Sequence, residues 1–162
     1  MLHSTFAWFN DNFTSYEVAP VQVYMPDAVI TKQTHIPGVT TWPIFERGNI
    51  IELDNGDLLA PMYGLFKGDT KSRVILSRSS DRGHKWRYHA TVATGETDPN
   101  PELPGQYNGP CEPSLEMLPN GQMICVMRTQ YSHLPGEYRP MSVCWSNDLG
   151  KTWTKPVPTK PH

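Results

Sequence analysis

Apolar residues in this chain come in short alternating runs separated by turn formers, rather than at the three-to-four spacing of a helix. Two stretches follow the same plan: NIIELDNGDLLAPMY at residues 49–63 and SLEMLPNGQMICVM at 114–127. Each is an apolar run, an Asn-Gly pair and a second apolar run, which predicts a β-hairpin. Asn55-Gly56 and Asn120-Gly121 supply residues that tolerate positive φ, as a two-residue loop requires.

Each hairpin is followed by another strand and a more specific turn. The first reads RVILSRSSDRGHKWRYHATV (73–92) and the second PMSVCWSNDLGKTWTKPV (140–157). Ser79, Asp81, Gly83 and Trp86 of the first align with Ser146, Asp148, Gly150 and Trp153 of the second. Gly56 and Gly121 stand 65 positions apart and Asp81 and Asp148 stand 67 apart, so the two units stay in step. Four strands per unit at this period is the layout of a propeller blade. The turn has a physical logic: a Ser or Asp side chain accepts from backbone N–H groups two or three residues ahead, glycine supplies the unusual conformation, and Trp folds back as an apolar plug.

Composition agrees. Of 162 residues, 38% are apolar and 19% charged, the balance of a globular chain, and 16 prolines with 12 glycines favour short strands over long helices. A net charge of −2 gives no reason to expect a nucleic-acid or acidic-membrane partner. No apolar run approaches the roughly 18 residues of a membrane-spanning helix. The opening MLHSTFAWFNDNF lacks a basic region followed by an apolar one, so no signal peptide is read. The parent protein is then either cytoplasmic or longer at its start, with a secreted parent left open; Asn12-Phe13-Thr14 fits a glycosylation acceptor. Cys111, Cys125 and Cys144 have no metal-ligand spacing and are an odd number, which suggests buried small hydrophobes; no metal or cofactor is expected.

The turn pattern S-x-D-x-G-x-T-W resembles the Asp box, or BNR repeat, of the sialidase (neuraminidase) superfamily. SNDLGKTW matches it fully, and SSDRGHKW departs at Lys85, where threonine is usual. The resemblance covers residues 45–158 and implies an all-β chain, a β-propeller of four-stranded antiparallel blades. The expected organisation is residues 1–44 as strands of a preceding blade, 45–95 as one blade and 96–162 as a second. YEVAPVQVYM (16–25) and PGVTTWPIF are strand candidates in the first part.

What the resemblance implies about chemistry falls elsewhere than on the boxes. Asp81 and Asp148 are expected to be structural, away from the axis. In sialidase-like enzymes a glutamate on the innermost strand takes the proton of a tyrosine nucleophile, and an arginine leaves on the return strand to grip the substrate carboxylate. In GPCEPSLEMLPNGQMICVMRT those places are held by Glu112 and Arg128. The tyrosine suits an anionic sugar that would repel a carboxylate nucleophile, and guanidinium forks suit the sugar's acid group. Shifting Glu112 back one 65-residue period gives Arg47, the expected second arginine, although Phe45-Glu46-Arg47-Gly48 departs from the family's Phe/Tyr-Arg-Ile-Pro motif at Glu46, Arg47 and Gly48. The family's acid/base aspartate would be Asp69, protonating the leaving oxygen. Tyr107, Tyr131 and Tyr138 are available, yet none stands in a matching motif.

Two blades do not close a ring, since closures need about four to eight. The chain is therefore expected to be a fragment, a truncated product, or a subunit that associates with copies of itself. Three functions fit: a sialidase-type glycosidase acting on terminal sialic acid or a related sugar, a same-scaffold glycosidase for another sugar, or a non-catalytic module binding glycans or protein.

Overall fold

Alternation of apolar and polar residues on short segments dictates sheets, and the computed structural model has twelve strands among the described residues. It describes the backbone of residues 2–9, 16–23, 28–30 and 45–46, and residues 49–96, 107–131 and 140–159, with side chains over 49–96, 108–129 and 140–159. Arg47, Tyr138 and Asn12 lie outside the described residues, as do the side chains of Tyr107 and Tyr131 and most of the PGVTTWPIF candidate.

Strands β1 (Leu2–Phe9), β2 (Tyr16–Val23) and β3 (Ala28–Ile30) form an antiparallel sheet in that order. On the inner side of the first blade β4 (Phe45–Glu46) and β5 (Ile51–Glu52) both pair with β6 (Leu58–Gly64). Outward follow β7 (Arg73–Ser79) and β8 (Arg87–Thr94). The second blade runs outward from β9 (Tyr107–Met117) through β10 (Met123–Tyr131) and β11 (Ser142–Ser146) to β12 (Val157–Pro158).

The Asn-Gly loops sit where the sequence places them, but each has three residues, not two. Leu53 donates to Asp57 O at 2.8 Å and Gly56 donates to Leu53 O at 2.8 Å; Leu118, Gly121 and Gln122 repeat the arrangement. Only the glycines have positive φ, 83° at Gly56 and 82° at Gly121. The reason is local. Asn55 and Asn120 accept from the N–H two residues on, at 3.1 Å each, which suits a type I turn followed by one left-handed glycine. Pro119 presets the same turn in the second loop.

Strand parity decides which side chains meet. Leu59 and Tyr63 of β6, with Val74 and Leu76 of β7, face the second blade. They pack on Cys111 and Leu115 of β9, Met123, Cys125 and Met127 of β10, and Cys144 of β11, all at most 8% exposed. The other parity of the first blade, Leu58, Ala60, Met62 and Ile75, forms a second cluster with Trp86. One 65-residue step carries Leu58, Ala60 and Met62 onto Met123, Cys125 and Met127, so both blades use the same face in the same way. Each fully buried leucine or methionine contributes roughly 1.5–3 kcal/mol. The three cysteines are free and buried. Burial pushes the Cys144 thiol up to about 12 and raises that of its cross-strand partner Cys125 as well, so these thiols stay protonated and unreactive.

The Asp boxes close both blades with one geometry. Ser79 Oγ accepts from the Gly83 N–H at 2.8 Å and donates to Asp81 Oδ1 at 2.9 Å. Asp81 Oδ1 accepts from the Lys85 N–H at 2.8 Å, and Trp86 Nε1 donates to Gly83 O at 3.1 Å. Ser146, Asp148, Gly150, Thr152 and Trp153 repeat each bond within 0.2 Å. Ser79 and Ser146 also accept from the N–H two residues ahead at 3.4 Å, as expected, while the shorter bonds reach four residues because two consecutive left-handed residues widen the turn: Arg82 and Gly83 in one box, Leu149 and Gly150 in the other.

Thr152 adds a hydroxyl bond to Asp148 Oδ2 at 2.6 Å that Lys85 cannot offer Asp81. That bond, with the Thr152 and Ser146 donors, holds the Asp148 carboxyl down to about 2. A group whose folded pKa lies below its unfolded value, 3.8, adds stability that is complete above that value and is lost as pH falls toward about 2. The Tm deficit of Asp148→Asn should therefore be constant above about pH 5 and shrink between about pH 4 and 2. Thermal melts across that range check it, and a deficit independent of pH would refute it.

Candidate functional site

The register of β9 and β10 separates two ends of the second blade. Met123 pairs with both Met117 and Ser146, so the hairpin loop and the Asp box share one end; Arg128 pairs with Cys111 near the other. Asp81 and Asp148, bound into their own turns, thus lie at the end away from Glu112 and Arg128.

At that other end β9 breaks register. Ser114 pairs with Val126 but Cys111 pairs with Arg128, so β9 carries an extra residue there. Glu112 sits in this bulge with φ 45°, left-handed for a residue with a Cβ and directly before a proline. Such a conformation costs of order 1–3 kcal/mol and persists only where the surroundings fix it. The bulge turns the Glu112 side chain onto Arg128. Arg128 Nε donates to Oε2 at 2.9 Å and Nη2 to Oε1 at 3.2 Å, a two-point fork. The two side chains are 34% and 48% exposed, so the pair is a surface feature open to a ligand rather than a stabilising buried bridge. The fork, helped by Glu112's charge and opposed by partial burial, raises the Arg128 pKa above its usual value.

Tyr63 of β6, 8% exposed, lies close enough to Arg128 to act on it electrostatically. The sequence reading missed it. The signal was available: Tyr63 stands one 65-residue step before Arg128, just as Arg47 does before Glu112. The described inner-strand pairs of the first blade are Phe45 with Tyr63 and Glu46 with Met62, then Ile51 with Leu59 and Glu52 with Leu58. Across the two inner strands Asn49 Nδ2 donates to Glu116 Oε2 at 3.2 Å.

Asp69 is on the same end, in the connection from β6 to β7. Its Oδ2 accepts from the Phe66 N–H at 2.9 Å and from Arg73 Nε at 2.6 Å, and its Oδ1 pairs with Arg73 Nη2. Arg73 also lies over the Phe66 ring at 4.8 Å. Slight burial works against ionisation, but the Arg73 and Phe66 donors outweigh it and hold the Asp69 carboxyl below its ordinary value. As placed, its two carboxylate oxygens are both engaged by Arg73. Among the described residues no group of three or more His, Cys, Asp or Glu could hold a metal ion. A cavity of about 480 Å³ opens at the hairpin end instead, lined by Ile51, Leu53, Arg78, Met117 and Leu149 among others, so it is separate from the Glu112–Arg128 pair.

Two antiparallel sheets, each four strands across, stacked face to face and each stapled by the same turn, define a β-propeller blade pair with a charged fork at one end. The chain belongs to the BNR repeat-like domain family, whose model matches residues 29–162. Among curated protein sequences none matches it. In structure it is similar to a protein of unknown function from Dyadobacter fermentans, with TM-score 0.63 and 20% identity over 94% of this chain and 41% of that one. It is also similar to a Hadza microbial sialidase, TM-score 0.60 and 17% identity over 94% of this chain and 30% of that one. A third is an α-L-arabinanase of Penicillium chrysogenum complexed with arabinobiose, TM-score 0.61 and 20% identity over 91% and 42%. The chain thus spans about 30 to 42% of the length of these structures.

Proposed function

We propose that this chain is part of a propeller glycoside hydrolase and that the Glu112–Arg128 end receives the terminal sugar of a glycan. The observation that carries the reading is Glu112 itself, held left-handed on an inner-strand bulge and aimed at an exposed arginine. Strain of this kind is retained where a side chain has work to do. In the sialic-acid form of the proposal, Arg128 and Arg47 grip the sugar's carboxylate and Glu112 takes the proton of a tyrosine nucleophile from elsewhere in the ring. Asp69 donates the leaving-group proton only once Arg73 has moved off it.

The fork itself favours a second form, a neutral sugar. Nε and Nη2 of Arg128 already face a carboxylate of the same chain, so a substrate carboxylate would compete with Glu112. A sugar hydroxyl instead adds to the fork without displacing it. The names of the similar structures fit either form, a sialidase on one side and an arabinanase on the other.

The test is turnover by the full-length gene product on a fluorogenic α-sialoside and a fluorogenic α-L-arabinofuranoside. Hydrolysis of either supports the proposal, and Arg128→Lys separates the two forms. Lysine cannot fork, so it should cost about 10- to 100-fold on the sialoside and much less on the arabinofuranoside. Absence of hydrolysis on both, with retained glycan binding, would sink the enzymatic reading in favour of a binding module.

A further inference from the structure

Strain at Glu112 must be imposed from both sides, and the two sides are built differently. On the C-terminal side Pro113 is fully buried and Ser114 resumes register with Val126. On the N-terminal side Cys111, Pro110 and Gly109 pair with Arg128, Thr129 and Gln130 of β10, and a second restraint comes from the other blade. Ser72, 1% exposed, precedes β7 of the first blade. Its N–H donates to Asn108 O at 2.8 Å, and its hydroxyl lies 3.0 Å from Asn108 O and 2.9 Å from Pro110 O. Gly109 between them has φ 107°, and a Cβ there would meet Ser72 O at 2.3 Å and Ser72 Oγ at 2.5 Å. Gly95, after β8, closes the junction, where a Cβ would sit 2.4 Å from Lys71 Cβ and 3.0 Å from Gly109 Cα. At Gly109 the backbone of β9 therefore lies directly against Ser72, and the last clamped carbonyl is two residues from Glu112.

We propose that Ser72 is a positioning residue for Glu112: by tying the start of β9 to the first blade it forces the strand's surplus residue to bulge at 112 and hold the fork to Arg128. The inference rests on reading Glu112 and Arg128 as the site. It makes the geometry of that site a property of the junction between two blades rather than of either one. Without the hydroxyl the Pro110 carbonyl loses its partner in the first blade, although the Ser72 N–H still holds Asn108 O, and Glu112 relaxes toward ordinary strand φ, which turns its carboxylate away from Arg128.

The experiment is hydrogen exchange of the Arg128 Nε–H, followed by NMR in this chain and assigned by its loss in Arg128→Lys. In Ser72→Ala that proton should exchange about tenfold faster, the population change expected from losing one buried hydrogen bond. The Lys85 and Thr152 amides in the two Asp boxes should keep their wild-type rates. Ser72→Cys keeps a weak donor and should give an intermediate rate; it carries the test if Ser72→Ala does not fold. Unchanged Arg128 exchange in folded variants, or equal acceleration at the Asp boxes, would show a merely structural serine and overturn the proposal. Since the readout is exchange and not turnover, failure of the sugar-site reading leaves this result as it stands.

Discussion

Gly150→Ala should destabilise the blade pair by about 3–4 kcal/mol, measured as the shift in denaturant midpoint at constant slope. Two independent costs add at this position. With φ 78°, any residue with a Cβ is strained, which accounts for about 1 kcal/mol. The larger cost is steric: the new Cβ would stand 2.3 Å from Leu76 Cδ2, and Leu76 is wholly buried in the core between the blades. Leu76 cannot move without disturbing Leu59, Met123 and Trp153 around it. The chain supplies its own controls. Gly56 and Gly121 have nearly the same φ but nothing within 4 Å, so their alanine variants should lose only the conformational part, about 1 kcal/mol. Equal losses at Gly121 and Gly150 would show that the second Asp box does not wedge against the first blade as described.

The second large effect concerns Glu112, where two variants should agree in activity and differ in stability. In the full-length protein Glu112→Gly and Glu112→Ala should both lower turnover by about a thousandfold, because no proton acceptor remains. In this chain the glycine variant should nevertheless be about 1 kcal/mol more stable than the alanine variant. In an ordinary strand the order is the reverse, since glycine is the weaker strand former by roughly 0.5–1 kcal/mol. The φ of 45° predicts the inversion. Glu112→Gln keeps the shape and one hydrogen bond to Arg128 but not the basicity, so it should match the others in lost turnover. An alanine variant as stable as the glycine variant would remove the strain argument, whatever happened to activity.

Much of the architecture was legible because its signals are local. An octapeptide such as SNDLGKTW encodes its own hydrogen bonds, so reading Ser146, Asp148, Gly150 and Trp153 amounted to reading the turn. The hairpins were legible in place but not in length, because Asn-Gly fits a two-residue loop and a three-residue one alike. What decided was the asparagine side chain's bond to the backbone. The site was legible only in part. Glu112 and Arg128 could be named from a resemblance, but that they touch follows from one surplus residue in β9, and no residue type announces a bulge ahead of a proline. Ser72 carries no signal at all, since its partners are carbonyls 36 and 38 positions away. Tyr63 carried one that a second use of the repeat would have found.

The parity of the strands has a consequence for how such a chain can change over generations. Met123, Cys125 and Met127 face one neighbour while Ile124 and Val126 face the other way, so inserting a single residue in β10 exchanges the two sets. A single insertion inside a strand is thus costly unless a bulge absorbs it, as at Glu112, whereas duplication of a whole unit of 65 to 67 residues repeats both faces in phase. Lineages built this way should alter their length in blade-sized steps and accept shorter indels only in loops such as the one joining β6 to β7.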